Sequence, residues 1–367
     1  MMNILWLTNM PTIYRVDFFN ELGKYCNLTV LFERFHATGV KNKWDKKMAV
    51  NFKAVFTKNI SIGREGAIGI RYLFYDYGKY DCVVVSSYSS PSEMIALLRL
   101  KTMSIPYILE IDGGFINYNE SKLKHFIKNK LISGATTYFS TSNIASEYLI
   151  YYGAKENKIV KYPFTSLHRT DILDTPVSNI KKVELRKKMG IIENKVVLAV
   201  GQFIPRKGFD VLLKCASNLV NNIGFYFVGG EPTREYIQIK ERLELSNVHF
   251  VGVQPKEKLK EYYQAADVFV LPTREDVWGL VINEAMANGL PVISTDKCGA
   301  ALELIDDGEN GFIVPANDEK MLLERIKILI ADTNMQRRFG EYNLKTIKEY
   351  TMENMAIKHR SVFAEKV

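Results

Sequence analysis

The sequence predicts an α/β protein built from two doubly wound domains that face each other across a cleft, and three observations predict it. Short apolar runs alternate with segments of helical period along most of the chain. Those runs are apolar at nearly every position, as strands covered by helices on both faces of a parallel sheet must be. The 367 residues also exceed the roughly 250–300 at which a single core stops growing, so two domains are expected.

In the first half the strand-like runs are NILWLT (3–8), LTVLF (28–32), CVVVSS (82–87), YILEI (107–111) and TTYFS (136–140), with helical spacing at 91–101 and 119–132. The second half continues with VVLAVG (196–201), GFYFVGG (224–230), VHFVG (248–252), VFVLP (268–272) and PVIST (291–295). Helical segments lie between them at 208–221, 234–245, 256–265 and 279–288. Between about 165 and 185 the pattern lapses into a polar stretch containing Pro176, and after Pro315 only helical periodicity remains. The expected domains are 1–170 and 191–345, joined by a linker at 171–190 and followed by a final segment, 346–367. In sheets of this kind ligands bind beyond the carboxyl ends of the strands.

Composition excludes several classes. With 47% hydrophobic and 25% charged residues the chain can build cores, so disorder is ruled out. No run of about 18 apolar residues is present to span a bilayer. The start, MMNILWLTNMP, has no basic region before its apolar run, so a cytoplasmic location is expected. Cys26, Cys82, Cys215 and Cys298 are scattered without a metal-ligand spacing and read as small buried residues in a reducing compartment. The net charge is +8, and residues 1–170 hold 22 Lys and Arg against 13 Asp and Glu. All the excess positive charge therefore lies in the first half, which points to an anionic partner there, a membrane surface or a pyrophosphate-linked molecule. Nucleic acid is not expected, because no binding motif accompanies the charge.

The most informative segment is LPTREDVWGLVINEAMANG (271–289). A strand ends, an acidic loop follows, and a helix begins at Trp278–Gly279. The first amides of that helix, at Gly279, Leu280 and Val281, are unpaired donors in a helix N-terminus, a ready anion site. Glu284, one turn inside, can accept from a vicinal diol such as ribose, and Asp276 stands before the helix.

This segment resembles the signature of the retaining GT-B glycosyltransferases of family 4, in which Glu, seven residues and a second Glu precede Ala-Met. The resemblance implies that Glu284 binds the ribose of a nucleotide-diphosphate sugar and that an earlier carboxylate meets the donor sugar. That carboxylate falls on Asp276, with Glu275 beside it, and either fits. VGQFIPRKGFD (200–210) resembles the family's Gly-Arg-x-x-x-x-Lys-Gly loop. Lys207 and Gly208 carry over as pyrophosphate ligands, Gln202 replaces the arginine, and Arg206 is the alternative cation. FVGG (227–230), with Gly229, and the stretch around Val251–Val253 resemble the strands that line the nucleotide and read its base. The likeness is strong over 195–345, and it implies that 346–367 packs back on the first domain.

The first half is expected to hold the acceptor, a glycan or a lipid-linked saccharide. Asn9, Tyr14 and Arg15 follow the first strand, and Glu110, Asp112 and Gly113 end YILEIDGGF. Relatives place a His near Asp112, so Asp112 is the catalytic candidate there. Ser86, Ser87 and Tyr88 end another strand. In SKLKHFIKNKLI (121–132), Leu123, Phe126, Ile127 and Leu131 share one helical face among four lysines, and that face fits either a core sheet or an anionic membrane surface. The run KNKWDKK (41–47) adds to the positive charge, and His125 reads as structural.

Breaking a sugar–phosphate bond leaves negative charge on the departing diphosphate, which preorganised donors stabilise. Lys207, Arg206 and the 279–281 amides supply such donors. No Asp-x-Asp occurs, so neither metal nor other cofactor is expected. The family implies retention, with the diphosphate helping to deprotonate the acceptor. An epimerase of the same fold and a non-catalytic sugar-nucleotide binder are the alternatives. A dehydrogenase is excluded, because no GxGxxG follows the first strand.

Overall fold

A computed structural model describes residues 1–35, 44–57, 60–62, 66–219 and 222–365. It divides the chain into two compact units, Met1–Ser166 with Thr351–Val367, and Leu167–Tyr350.

Among the described residues, unit 1 carries a seven-stranded parallel sheet. Its strands are β1 (Asn3–Thr8), β2 (Asn27–Phe32), β3 (Lys53–Phe56), β6 (Cys82–Ser86), β7 (Tyr107–Ile111), β8 (Thr137–Ser140) and β9 (Ile159–Lys161), while β4 (Ile60–Ile62) and β5 (Gly66–Ile68) form a separate antiparallel pair. The order is β3-β2-β1-β6-β7-β8-β9. The chain therefore builds outward from β1 to one edge, returns, and builds from β6 to the other. The loops leaving β1 and β6 diverge there and open a crevice. The covering helices are α1 (Ile13–Leu22), α2 (Pro91–Thr102), α3 (Lys122–Ile132) and α4 (Asn143–Tyr151). Local chemistry sets their starts: Ser90 and Glu93 cap α2 reciprocally, and the Ser121 hydroxyl accepts from the Lys124 amide to open α3.

Unit 2 begins with α5 (Asn179–Met189) and continues β10 (Lys195–Val200), α6 (Phe209–Ser217), β11 (Ile223–Val228), α7 (Arg234–Arg242), β12 (Val248–Val251), α8 (Lys256–Ala265) and β13 (Val268–Leu271). It ends with α9 (Leu280–Ala287), β14 (Val292–Thr295), α10 (Gly299–Leu304), β15 (Gly311–Val314), α11 (Glu319–Ala331) and α12 (Thr333–Ile347). The parallel strands are ordered β12-β11-β10-β13-β14-β15, so β10 and β13 flank the reversal. The last helix, α13 (Met352–Ala364), belongs to unit 1, where its His359 ring meets Phe139 at 4.3 Å and Phe18 at 4.9 Å.

Two expectations need correction. Within the supposed linker 171–190, α5 is a regular helix docked on unit 2. Its Arg186 donates to the Ala265 carbonyl and pairs with buried Asp267 at 2.8 Å, and Lys182 lies 3.4 Å from the same carboxylate. Ion pairs rather than an apolar stripe hold it, which is why it reads as polar linker. In α3 the apolar face does not pack on the sheet. Leu131 is buried, but Leu123, Phe126 and Ile127 are exposed. Of the KNKWDKK run, residues 41–43 lie outside the described residues, and Trp44 packs its ring 5.4 Å from Phe56.

Candidate functional site

In unit 2 the loops leaving β10 and β13 carry the motif residues, and close backbone contact makes them one body. Gly208, with φ +67°, starts α6, and a Cβ on it would lie 1.9 Å from the Pro272 carbonyl oxygen, so only glycine fits. The Arg274 amide donates to the Arg206 carbonyl at 2.7 Å, and Thr273 Oγ1 donates to the same oxygen at 2.9 Å. The Arg274 guanidinium grips Asp210 through two hydrogen bonds, 2.9 and 2.6 Å.

On this clamped platform Lys207 Nζ sits 2.5 Å from Asp276 Oδ2, and Arg206 Nη1 lies 3.4 Å from Asp276 Oδ1. Arg206 also donates to the Glu275 carbonyl at 2.6 Å. Only one of the two candidate carboxylates is gathered in: Asp276 is 9% exposed between two cations, whereas the Glu275 side chain faces solvent. Asp276 adjoins Gly279, whose left-handed φ of +100° starts α9. Leu280 and Val281 follow in the first turn, where amides have no acceptor within the helix.

Glu284, one turn deeper, accepts a 2.8 Å hydrogen bond from Tyr263. Burial and the Glu284 charge push the Tyr263 phenol well above its ordinary pKa, so it remains a donor. Trp278, expected to touch the donor, is instead buried, with Nε1 donating to Asn283 at 2.8 Å. An indole N–H removed from water must find a partner, and Asn283 is at hand. Gly229, at φ +120°, lets the loop after β11 approach Gly201, and Gln202 is exposed beside it. Val253 is 75% exposed at the end of edge strand β12, two strands from β10.

In unit 1 a cavity of about 410 Å³ opens at the β1/β6 reversal, lined by Ser87, Tyr88, Asp112, Gly113, Lys128 and Tyr148 among others. Part of its lining is a buried polar network that includes Arg15, Ser86 and Glu110. Arg15 Nη1 donates to both Glu110 oxygens at 3.1 and 2.9 Å, and Nη2 meets Asp112 Oδ1 at 2.5 Å. Ser86 and Tyr162 add hydrogen bonds to Glu110 of 2.5 and 2.8 Å, and Trp6 Nε1 donates to Ser86 at 2.6 Å.

This arrangement reassigns two acceptor candidates. Arg15 is 4% exposed and Glu110 wholly buried, so they hold each other and position Asp112 while still forming part of the cavity lining. A buried guanidinium is tolerated only when paired, and both carboxylates keep its charge well above the usual value against the effect of burial. Asp112, with 36% of its side chain exposed, is the reachable carboxylate. Asn9 Oδ1 accepts from the Arg34 guanidinium at 2.9 and 3.1 Å, and the Tyr14 ring packs edge-on against Phe164 at 5.8 Å.

Several site residues escaped the sequence reading. Lys128 looked like one more lysine of a basic helix, yet it lines the cavity, paired with Glu120 at 2.8 Å. Tyr148 hydrogen-bonds Tyr88 across the cavity wall. Ser87, by contrast, is picked out in the sequence with Ser86 and Tyr88 at the strand end, and it adopts φ +95°, a conformation a serine rarely takes, directly after β6. Its only sequence signal was its place after an apolar run.

Comparison with known proteins adds the following. Residues 181–346 match the family described as glycosyl transferases group 1. The chain is 28% identical over 260 residues to the capsular polysaccharide biosynthesis glycosyltransferase CapM of Staphylococcus aureus, covering 68% of this chain and 63% of that one. It is 23% identical, over 76% of each chain, to an N,N'-diacetylbacillosaminyl-diphospho-undecaprenol alpha-1,3-N-acetylgalactosaminyltransferase of Campylobacter jejuni. Its structure is similar to that of Anabaena HepE in complex with UDP, with a TM-score of 0.80, 16% identity and coverage of 99% of this chain and 100% of that one. The fold is thus the GT-B arrangement of two Rossmann-like sheets.

Proposed function

We propose, from the match of residues 181–346 to the glycosyl transferases group 1, that this chain is a glycosyltransferase that moves a hexose from UDP or GDP to a hydroxyl of a lipid-linked or polysaccharide acceptor, with retention and without a metal, in bacterial surface polysaccharide synthesis at the cytoplasmic face of the membrane. The observation that carries the reading is the convergence of Lys207 and Arg206 on Asp276 beside the start of α9. Two cations and unpaired helix amides gathered at a sheet's reversal suit a diphosphate. CapM and the undecaprenol-linked transferase, named for comparable reactions, support the acceptor class.

In the proposed reaction Glu284 takes the ribose diol while the α9 amides, Lys207 and Arg206 take the diphosphate. Asp276 meets the donor sugar. The acceptor hydroxyl attacks the anomeric carbon from the face that the diphosphate leaves. The carbon–oxygen bond to the diphosphate breaks as the new glycosidic bond forms, and the hydroxyl proton passes to the departing phosphate oxygen. Preorganised positive charge at that oxygen is the largest available contribution to the rate.

Calorimetric titration of UDP and GDP into the full chain tests this. One of the two should bind, and Lys207→Ala should weaken it by about 10–100-fold, the worth of a charge-assisted hydrogen bond. Unchanged diphosphate affinity in Lys207→Ala would remove the phosphate assignment. Equal binding of the nucleoside monophosphate and diphosphate by the wild type would do the same.

A further inference from the structure

One face of α3 has no partner within unit 1. Leu123, Phe126 and Ile127, spaced to share a side of the helix, are 69%, 56% and 46% exposed, while Leu131 and Ile132 anchor its far end in the core. Large apolar side chains exposed at successive turns form a patch that calls for a partner.

The charge around the stripe says which partner. Lys122 and Lys124 flank Leu123, and Lys130 lies one turn beyond Phe126 with its ammonium 5.5 Å from that ring. All three are exposed, and Lys122–Ile132 contains no acidic residue. The nearest acid, Glu120, has a side chain only 3% exposed and is held by Lys128 and Tyr152 at 2.8 and 2.6 Å. Within the helix no acidic side chain therefore offsets the three lysines. At 11 residues α3 is far shorter than the roughly 20 needed to cross a bilayer.

We propose that α3 lies in the surface of an anionic phospholipid membrane, with Leu123, Phe126 and Ile127 among the acyl chains and Lys122, Lys124 and Lys130 at the phosphates. An exposed helix with an apolar stripe between lysines fits an interface plane, and each lysine near such a surface adds to the attraction. The helix has a second role on its inner side, where Lys128 lines the unit 1 cavity. Docking α3 brings one wall of that cavity to the lipid surface. Resting on the glycosyltransferase reading, this makes the acceptor an amphiphile whose saccharide enters the cavity while its lipid stays in the bilayer.

Vesicle flotation of the full chain tests the surface independently of catalysis. At low ionic strength (~20 mM), where charges are little screened, the protein should float with phosphatidylglycerol/phosphatidylcholine vesicles and not with phosphatidylcholine alone. About 500 mM salt should release most of it. The triple variant Leu123→Ser/Phe126→Ser/Ile127→Ser should lose flotation while its melting temperature and nucleotide titration match the wild type. The inference is overturned if the wild type ignores anionic vesicles at low salt, as it would if the stripe served a protein partner or a second copy. It is equally overturned if the triple variant floats like the wild type. Because nucleotide binding is read separately, loss of one reading leaves the other standing.

Discussion

Glu33 and Glu93 are buried around a single serine. Ser90 Oγ donates to Glu33 and accepts from the Glu93 amide at 3.1 Å, while Glu93 Oε2 accepts from the Ser90 amide at 3.0 Å. Burial pushes Glu33 up to about 7, and burial together with the Glu33 charge pushes Glu93 up to about 8. Both carboxyls titrate near ~4.3 in an unfolded chain. Between there and pH 7–8 the folded protein holds protons that the unfolded chain has released, so stability falls as pH rises through this window. Glu93→Gln keeps the capping geometry without the charge. In thermal melts it should flatten the fall between pH 6 and 9 and unfold at a higher temperature than wild type at pH 8.5. A variant less stable than wild type at that pH would mean that the Glu93 carboxylate is ionised and satisfied in the fold. Residue roles of this kind were only partly legible. Arg15, Glu110 and Asp112 could be picked out as residues at strand ends, but nothing local shows that Arg15 reaches 95 positions along the chain to Glu110. That pairing, more than residue type, decides that Asp112 is the more exposed of the two carboxylates lining the cavity.

At the scale of elements, legibility followed burial. The ten runs read as strands coincide with β1, β2, β6–β8 and β10–β14, of which β12 alone lies at a sheet edge. Missed were β3, with its half-exposed KAVF, the three-residue β9, and β15, which follows the polar DDGEN. The edge strands β3 and β9 have no fully buried residue and lack the continuous apolar signature. The loops after β10 and β13 could be picked out as candidate phosphate ligands, but their contact could not, since it is made by backbone. It leads to a comparison of two glycines with nearly equal dihedrals. Gly208 (φ +67°) would put a Cβ 1.9 Å from Pro272, whereas Gly190 (φ +72°) would meet nothing within 4 Å. Gly190→Ala should therefore cost only the left-handed penalty, about 1 kcal/mol. Gly208→Ala adds a backbone clash that must part the two loops, so it should cost about 3 kcal/mol or more and weaken diphosphate binding. Denaturant midpoints of the two variants decide this, and equal midpoints would mean that the loops yield without resistance.

At the scale of the molecule, each unit closes its own core, and the chain crosses from one unit to the other twice, at Ser166–Leu167 and Tyr350–Thr351. The first crossing begins where the periodic pattern lapses and so leaves a trace in the sequence. The second lies five residues beyond the boundary read at 345–346, where the final segment is set apart. Unit 1 is completed only by α13, the last segment of the chain. Its His359 is fully buried among Trp6, Phe18, Phe139 and Tyr162, with Nδ1 2.7 Å from the Met355 carbonyl. Burial lowers the His359 pKa to about 3, so the ring stays neutral wherever the protein works. Around it Met352, Met355, Val362 and Phe363 are buried as well. Each such side chain contributes about 1.5–3 kcal/mol, so together they rival the whole margin of about 5–15 kcal/mol that holds a domain folded. A chain ended after Tyr350 should therefore fail to fold unit 1 while unit 2, which keeps its core and both phosphate loops, remains intact. Limited proteolysis should degrade residues 1–166 and leave a resistant fragment from about 167 to 350 that still binds the nucleoside diphosphate. A truncated chain as resistant throughout as the wild type would show that α13 only covers a core already complete, and a chain degraded from end to end would show that unit 2 depends on unit 1.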